Sequence, residues 1–140
     1  MDYKKEELRE FMLKEIEIIQ DIIKRMASNS FMIKGWTISL VVVTLLLRGS
    51  KCQSLIAFIP IILFWCLDAY FLSQERLYRK LYNWVIENRM KTDRYLFDMN
   101  VDRFKDKEQL KFKTMFSFTI FWFYGLIFLA TFLYVILLYF

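Results

Sequence analysis

Histidine is absent from this 140-residue chain, and glycine (three residues), cysteine (two) and proline (one) are scarce. Without histidine there is no imidazole to serve as a general base or as a metal ligand. Three scattered glycines build no phosphate-cradling loop, and neither a Gly-x-Ser-x-Gly nor a Cys-x-x-Cys motif occurs. The paired carboxylates Asp93 with Asp98 and Asp102 with Asp106 sit in a charged connector and read as solvated. No catalytic residue, cofactor or metal is therefore expected. Nor do the cysteines form a framework. Cys66 follows Cys52 by 14 residues, about 21 Å at the helical rise, far beyond disulfide reach.

What the chain has in abundance is apolar surface: 57% of residues are hydrophobic and 19% aromatic. Such a composition is too apolar for a small soluble domain, and membrane helices are the natural outlet. Three stretches approach the roughly 20 apolar residues that cross a bilayer: 31–47, 55–72 and 115–140. The third carries no charge. The first must let Lys34 snorkel to the interface, and the second contains Pro60 near its outer end, where a kink is tolerable. The predicted fold is all-α, an integral membrane protein with three transmembrane helices. Its regions are a cytoplasmic amphipathic helix (1–30), a transmembrane hairpin (31–72), a cytoplasmic helix and connector (73–114) and a third transmembrane helix (115–140).

Lysine and arginine set the orientation. Six precede the first stretch and eleven lie between 73 and 114, whereas the turn between the first two stretches holds Arg48 and Lys51 alone. The positive-inside rule puts the amino terminus in the cytoplasm and the carboxyl terminus outside, in a bacterial inner membrane. Residues 2–10 are charged and lack an apolar h-region, so no cleavable signal is expected and the first span would itself direct insertion.

Lys34 and Asp68 each lie 17 residues from Lys51. In an antiparallel hairpin turning at Lys51, both reach the same depth, near the inner face. An ionisable group in lipid normally faces a partner or a wet cavity, so the two are expected to form an ion pair that gates or clamps the membrane part. Mirror counting places Asn29, Ser30, Trp36, Glu75 and Arg76 near the same face, as a polar cluster or an interfacial belt.

Met12, Ile16, Ile19, Ile23 and Met26 follow the 4,3,4,3 rhythm of a coiled-coil seam. Ser28-Asn29-Ser30 offers capping side chains, and a cap or kink is expected there. Leu77, Leu81, Trp84 and Asn88 mark a matching face on the second helix, which meets no Gly or Pro after the second span and is expected to continue towards Arg89. Residues 1–30 carry six basic and seven acidic side chains (net −1), and 73–114 carry eleven and seven (net +4). The arms should attract each other and pack as a stalk through Ile16, Ile19, Ile23, Leu77, Leu81 and Trp84. Residues 92–106 read as a structured connector, with a helix restarting near Lys105 and passing through Lys111 and Lys113 into the third span. Tyr78, Tyr82, Trp84, Tyr95 and Phe97 interleave with this basic region. Nucleotide or nucleic-acid binding is nevertheless disfavoured, because positive-inside retention and anionic head groups explain the same charges.

The runs Asn29-Ser30-Phe31-Met32-Ile33-Lys34-Gly35-Trp36, Phe64-Trp65-Cys66-Leu67-Asp68-Ala69-Tyr70-Phe71 and Glu75-Arg76-Leu77-Tyr78-Arg79-Lys80-Leu81-Tyr82, with Phe97-Asp98-Met99-Asn100, resemble a group of small bacterial membrane proteins of uncharacterised activity. The overall plan is similar to that of SLATT-type two-span effectors, from which the third span departs. That resemblance implies a pore-forming or membrane-perturbing effector, in anti-phage defence, and the small size of the chain argues for homo-oligomers, since three helices can scarcely enclose a pore alone. The alternatives are a non-conducting membrane anchor or regulator that recruits a cytoplasmic protein partner, and a small ion-coupled transporter built on Lys34 and Asp68. Expected partners are the lipid bilayer, further copies of the chain and a soluble protein.

Overall fold

The computed structural model describes residues 5–47, 55–104 and 114–139. Among these the chain is helical and contains no strand. Helix α1 spans Lys5–Leu46 (42 residues), α2 spans Phe58–Asn88 (31 residues) and α3 spans Phe118–Tyr139 (22 residues). A single 3-10 turn, Asp102–Phe104, lies in the connector. All three α-helices are long and apolar enough to cross a membrane.

The first two helices form an antiparallel hairpin. Contacts rise along one as they fall along the other: Glu15 meets Arg89, Ser30 meets Asp68, and Val41 shares a core with Ile61. Helix α3 packs against α2, also antiparallel, since Arg76 meets Ser117, Trp65 meets Tyr124 and Phe58 meets Phe128. Pro60 falls in the first turn of α2, where its missing N–H has no intrahelical partner to lose.

Two apolar cores lie along the hairpin. The distal one centres on Ile19, Leu77, Leu81, Val85 and Val101, with Ile16, Ile23 and Trp84 packed around it. The other centres on Val41, Ile61, Ala69, Ile120 and Tyr124 and joins all three helices. Around this second core the outward faces are apolar as well, including Phe31, Val43, Leu46, Leu63, Phe132 and Leu137. Outward apolar faces of that kind are in keeping with helices long and apolar enough to cross a membrane.

Several local expectations are corrected. Helix α1 runs through Ser28-Asn29-Ser30 without a break, because the Ser30 hydroxyl bonds to Lys34 and Asp68 instead of capping a new helix start. The buried stripe of α2 is Leu77, Leu81, Val85 and Arg89, at strict four-residue spacing. Asn88 is half-buried and donates to the Trp84 carbonyl at 3.0 Å. On α1 the stripe passes through Leu8, Glu15 and Ile19, so an acidic residue occupies a seam position that the apolar pattern left unmarked. Helix continuity into the third span also fails: the chain turns at Phe116 and Ser117, with the Ser117 N–H bonded to the Thr114 carbonyl at 3.0 Å, and α3 begins at Phe118. The Lys51 turn with Cys52, and the helix restart at Lys105, Lys111 and Lys113, lie outside the described residues.

Candidate functional site: two buried ion pairs on one hairpin

Ser30 and Lys34 are one helical turn apart on α1 and face the same side of the helix. Asp68 on α2 is fully buried opposite them. Lys34 Nζ lies 2.5 Å from Asp68 Oδ2 and 2.8 Å from Ser30 Oγ, and the Ser30 hydroxyl donates to Asp68 Oδ1. The Lys34 contact is ionic and off the hydrogen-bonding direction at Oδ2. Asp68 has no exposure, whereas the Lys34 side chain keeps 24%. The lysine side chain thus reaches the edge of the protein, and the carboxylate lies at its centre.

Helix α3 closes the third side. Lys34 Nζ sits 5.8 Å from the Phe123 ring centroid, within cation–π range. Tyr124 is fully buried, stacks on Trp65 with ring planes 5° apart, and sets its hydroxyl beside Thr37 and Asp68. Trp65 in turn donates to the Met115 carbonyl at 3.0 Å. One carboxylate is therefore the point at which all three helices meet.

The remaining residues of the sequence-defined polar cluster do not join this site. Glu75 pairs with Arg79 at 2.8 Å, Arg76 donates to Ser117 at 3.2 Å, and Trp36 points outward at 62% exposure. Asn29 is half-buried and bonds to none of them. Mirror counting gave these residues a common depth, but the 100° turn per helical residue sends them to different faces.

A second pair escaped the sequence reading. Glu15 and Arg89 are both buried in the distal part of the hairpin. Arg89 Nε and Nη2 grip Glu15 Oε2 and Oε1 at 2.5 and 2.7 Å, a two-pronged fork. Its other N–H groups bond the carbonyls of Thr92 (3.2 Å), Arg94 (2.8 Å) and Tyr95 (3.0 Å). Glu15 Oε1 also accepts the Phe97 N–H at 2.7 Å. All five guanidinium donors have an acceptor. The cluster ties the connector to both helices and holds Tyr95 and Phe97 in left-handed backbone conformations (φ 59° and 55°) that side-chain-bearing residues seldom adopt. The missed signal was an acidic seam position, Glu15, matched four residues past Val85 by a basic one.

At the exposed amino-terminal end of α1, Lys14 hydrogen-bonds Glu10 at 2.7 Å and draws its carboxyl below the ordinary value. Among the described residues no group of three or more His, Cys, Asp or Glu side chains is placed to hold a metal ion. No family model, curated protein or solved structure matches the chain.

Proposed function

We propose that this chain is a self-associating membrane protein of the bacterial inner membrane, with its amino terminus inside, that perturbs the bilayer when its cytoplasmic stalk is engaged. The observation that carries the proposal is the Lys34–Asp68–Ser30 node at the junction of the three helices. Charges in an apolar body are costly and are kept there chiefly where something must be held or released. Three helices enclose no lumen of their own, so a conducting path requires a ring of subunits. In that ring, Lys34, partly exposed already, is the group able to exchange its partner for one on a neighbour. Anti-phage defence is the setting implied by the two-span effector plan.

Expression in bacteria is the direct test. Wild-type protein should collapse the membrane potential and admit small dyes, and Lys34→Gln or Asp68→Asn should alter the leak at equal protein level. Unchanged potential in every case would leave the non-conducting reading: an anchor that recruits a soluble protein. That reading draws on the apolar residues Ile86, Met90 and Phe97, exposed around the distal core. A stoichiometric partner lost on Ile86→Lys with Met90→Lys would establish it.

A further inference from the structure

The connector presents two arginines on a single exposed ring. The Arg103 guanidinium carbon lies 4.4 Å from the Tyr95 ring centroid, 4.5 Å from that of Trp84 and 4.9 Å from that of Phe104. Arg94 approaches the same Tyr95 ring at 6.0 Å. Both arginines are exposed, and among the described residues neither guanidinium makes a hydrogen bond or an ion pair. A guanidinium whose face is stacked on rings keeps its N–H groups in the plane, directed outward at its edge.

The backbone beneath them is fixed. Arg89 holds the carbonyls of Arg94 and Tyr95, and Glu15 holds the N–H of Phe97. Tyr95 is kept at φ 59°, a conformation that side-chain-bearing residues seldom adopt, and its ring lies within reach of both arginines. Nearby acids have partners of their own: Asp98 accepts the Asn100 N–H at 2.9 Å, and Asp93 and Asp102 are likewise engaged. What faces solvent is a pair of guanidinium groups beside one ring, with no acceptor among the described residues.

We propose that Arg94 and Arg103, braced on Tyr95 and Trp84, form a binding site for a soluble phosphate compound. A single carboxylate fills one fork. A diphosphate, with more charge and more oxygens, serves two guanidinium groups that share one ring. Trp84, the part of the site on α2, lies 16 residues beyond Asp68, about 24 Å at the helical rise, which sets the site away from the phosphates of the host bilayer. Binding here is independent of whether the protein perturbs membranes, and the two are measured separately.

The test is calorimetric titration of inorganic pyrophosphate into the full-length, detergent-solubilised protein, with glutamate as the carboxylate control. Saturable pyrophosphate binding is expected, about tenfold or more weaker in Arg103→Gln and clearly weaker in Arg103→Lys, which keeps the charge and loses the fork. Arg94→Gln should weaken it as well, and Lys14→Gln should not. Circular dichroism and thermal melting establish that each variant is folded. The proposal is overturned if pyrophosphate shows no binding in the millimolar range, if folded Arg103→Gln binds as well as wild type, or if glutamate binds equally tightly.

Discussion

Glu15 and Arg89 have no route to water, whereas Lys34 keeps a quarter of its side chain exposed. That difference ranks the substitutions. Glu15→Ala strands a buried guanidinium and Arg89→Ala strands a buried carboxylate, each costing about 3–5 kcal/mol. The double variant should recover only part of that loss, because the carbonyls of Thr92, Arg94 and Tyr95 still lack their donor. Thermal melts of the four proteins read this directly. At the other pair the two single variants should differ. After Asp68→Ala the Lys34 ammonium can turn to the interface, for a cost of about 1–2 kcal/mol. After Lys34→Met the fully buried Asp68 loses its cation and keeps only hydroxyl neighbours, and the loss should be larger. A double-mutant cycle should give a coupling of roughly 0.5–3 kcal/mol; strict additivity would show that the contact carries no stability. How far residue chemistry was legible in the chain also divides between these pairs. Lys34 and Asp68 stand out because lone charges interrupt apolar runs, and counting from Lys51 set them opposite each other. Glu15 and Arg89 sit among many other charges, and only the three-dimensional seam distinguishes them from a solvated face.

At the scale of elements, the apolar periodicity located the helices, and errors gathered at their junctions. Ser28-Asn29-Ser30 reads as a helix start because serine and asparagine favour caps. In the folded chain, packing on both sides of the triplet carries the helix through, and the Ser30 hydroxyl is committed to Asp68. Trp84 and Asn88 fit a 4,3,4 rhythm, yet the two helices in long contact bury the four-residue row through Val85 and Arg89. Gly35 provides a test of α1 itself. It lies in the helix interior, and a Cβ there would meet nothing within 4 Å in the single subunit. Gly35→Ala should therefore stabilise the isolated subunit by about 0.5–1 kcal/mol. A lower melting temperature, or loss of a higher-mass species in detergent, would instead place a neighbouring helix against that position.

For the whole molecule, the helical class and the number of long apolar segments were plain from composition and length alone. The way α3 is held was not. The contacts that hold it, Tyr124 on Trp65 and Ser117 on Arg76, belong to a background in which no single residue is marked, and they depend on the turn at Phe116 and Ser117. Two measurements apply at this scale. The mass of the detergent-solubilised complex should exceed that of the 17.2 kDa chain severalfold if subunits associate as proposed. Reporter fusions at the two ends should give opposite signals, inside for the amino terminus and outside for the carboxyl terminus, and identical signals would refute the three-span arrangement.

Since α1 passes from the Glu15 pair to the Lys34 pair without a joint, and α2 does the same from Asp68 to its cap at Arg89, the stretch between the two pairs has no hinge in which to lose a displacement. Torque applied at the far tip is delivered as a sliding strain between two side chains that differ in one practical way: the ammonium can leave and the carboxylate cannot. The Ser30–Asp68 contact then acts as the fulcrum of a stiff lever, and the first bond to yield under load should be the one from Lys34.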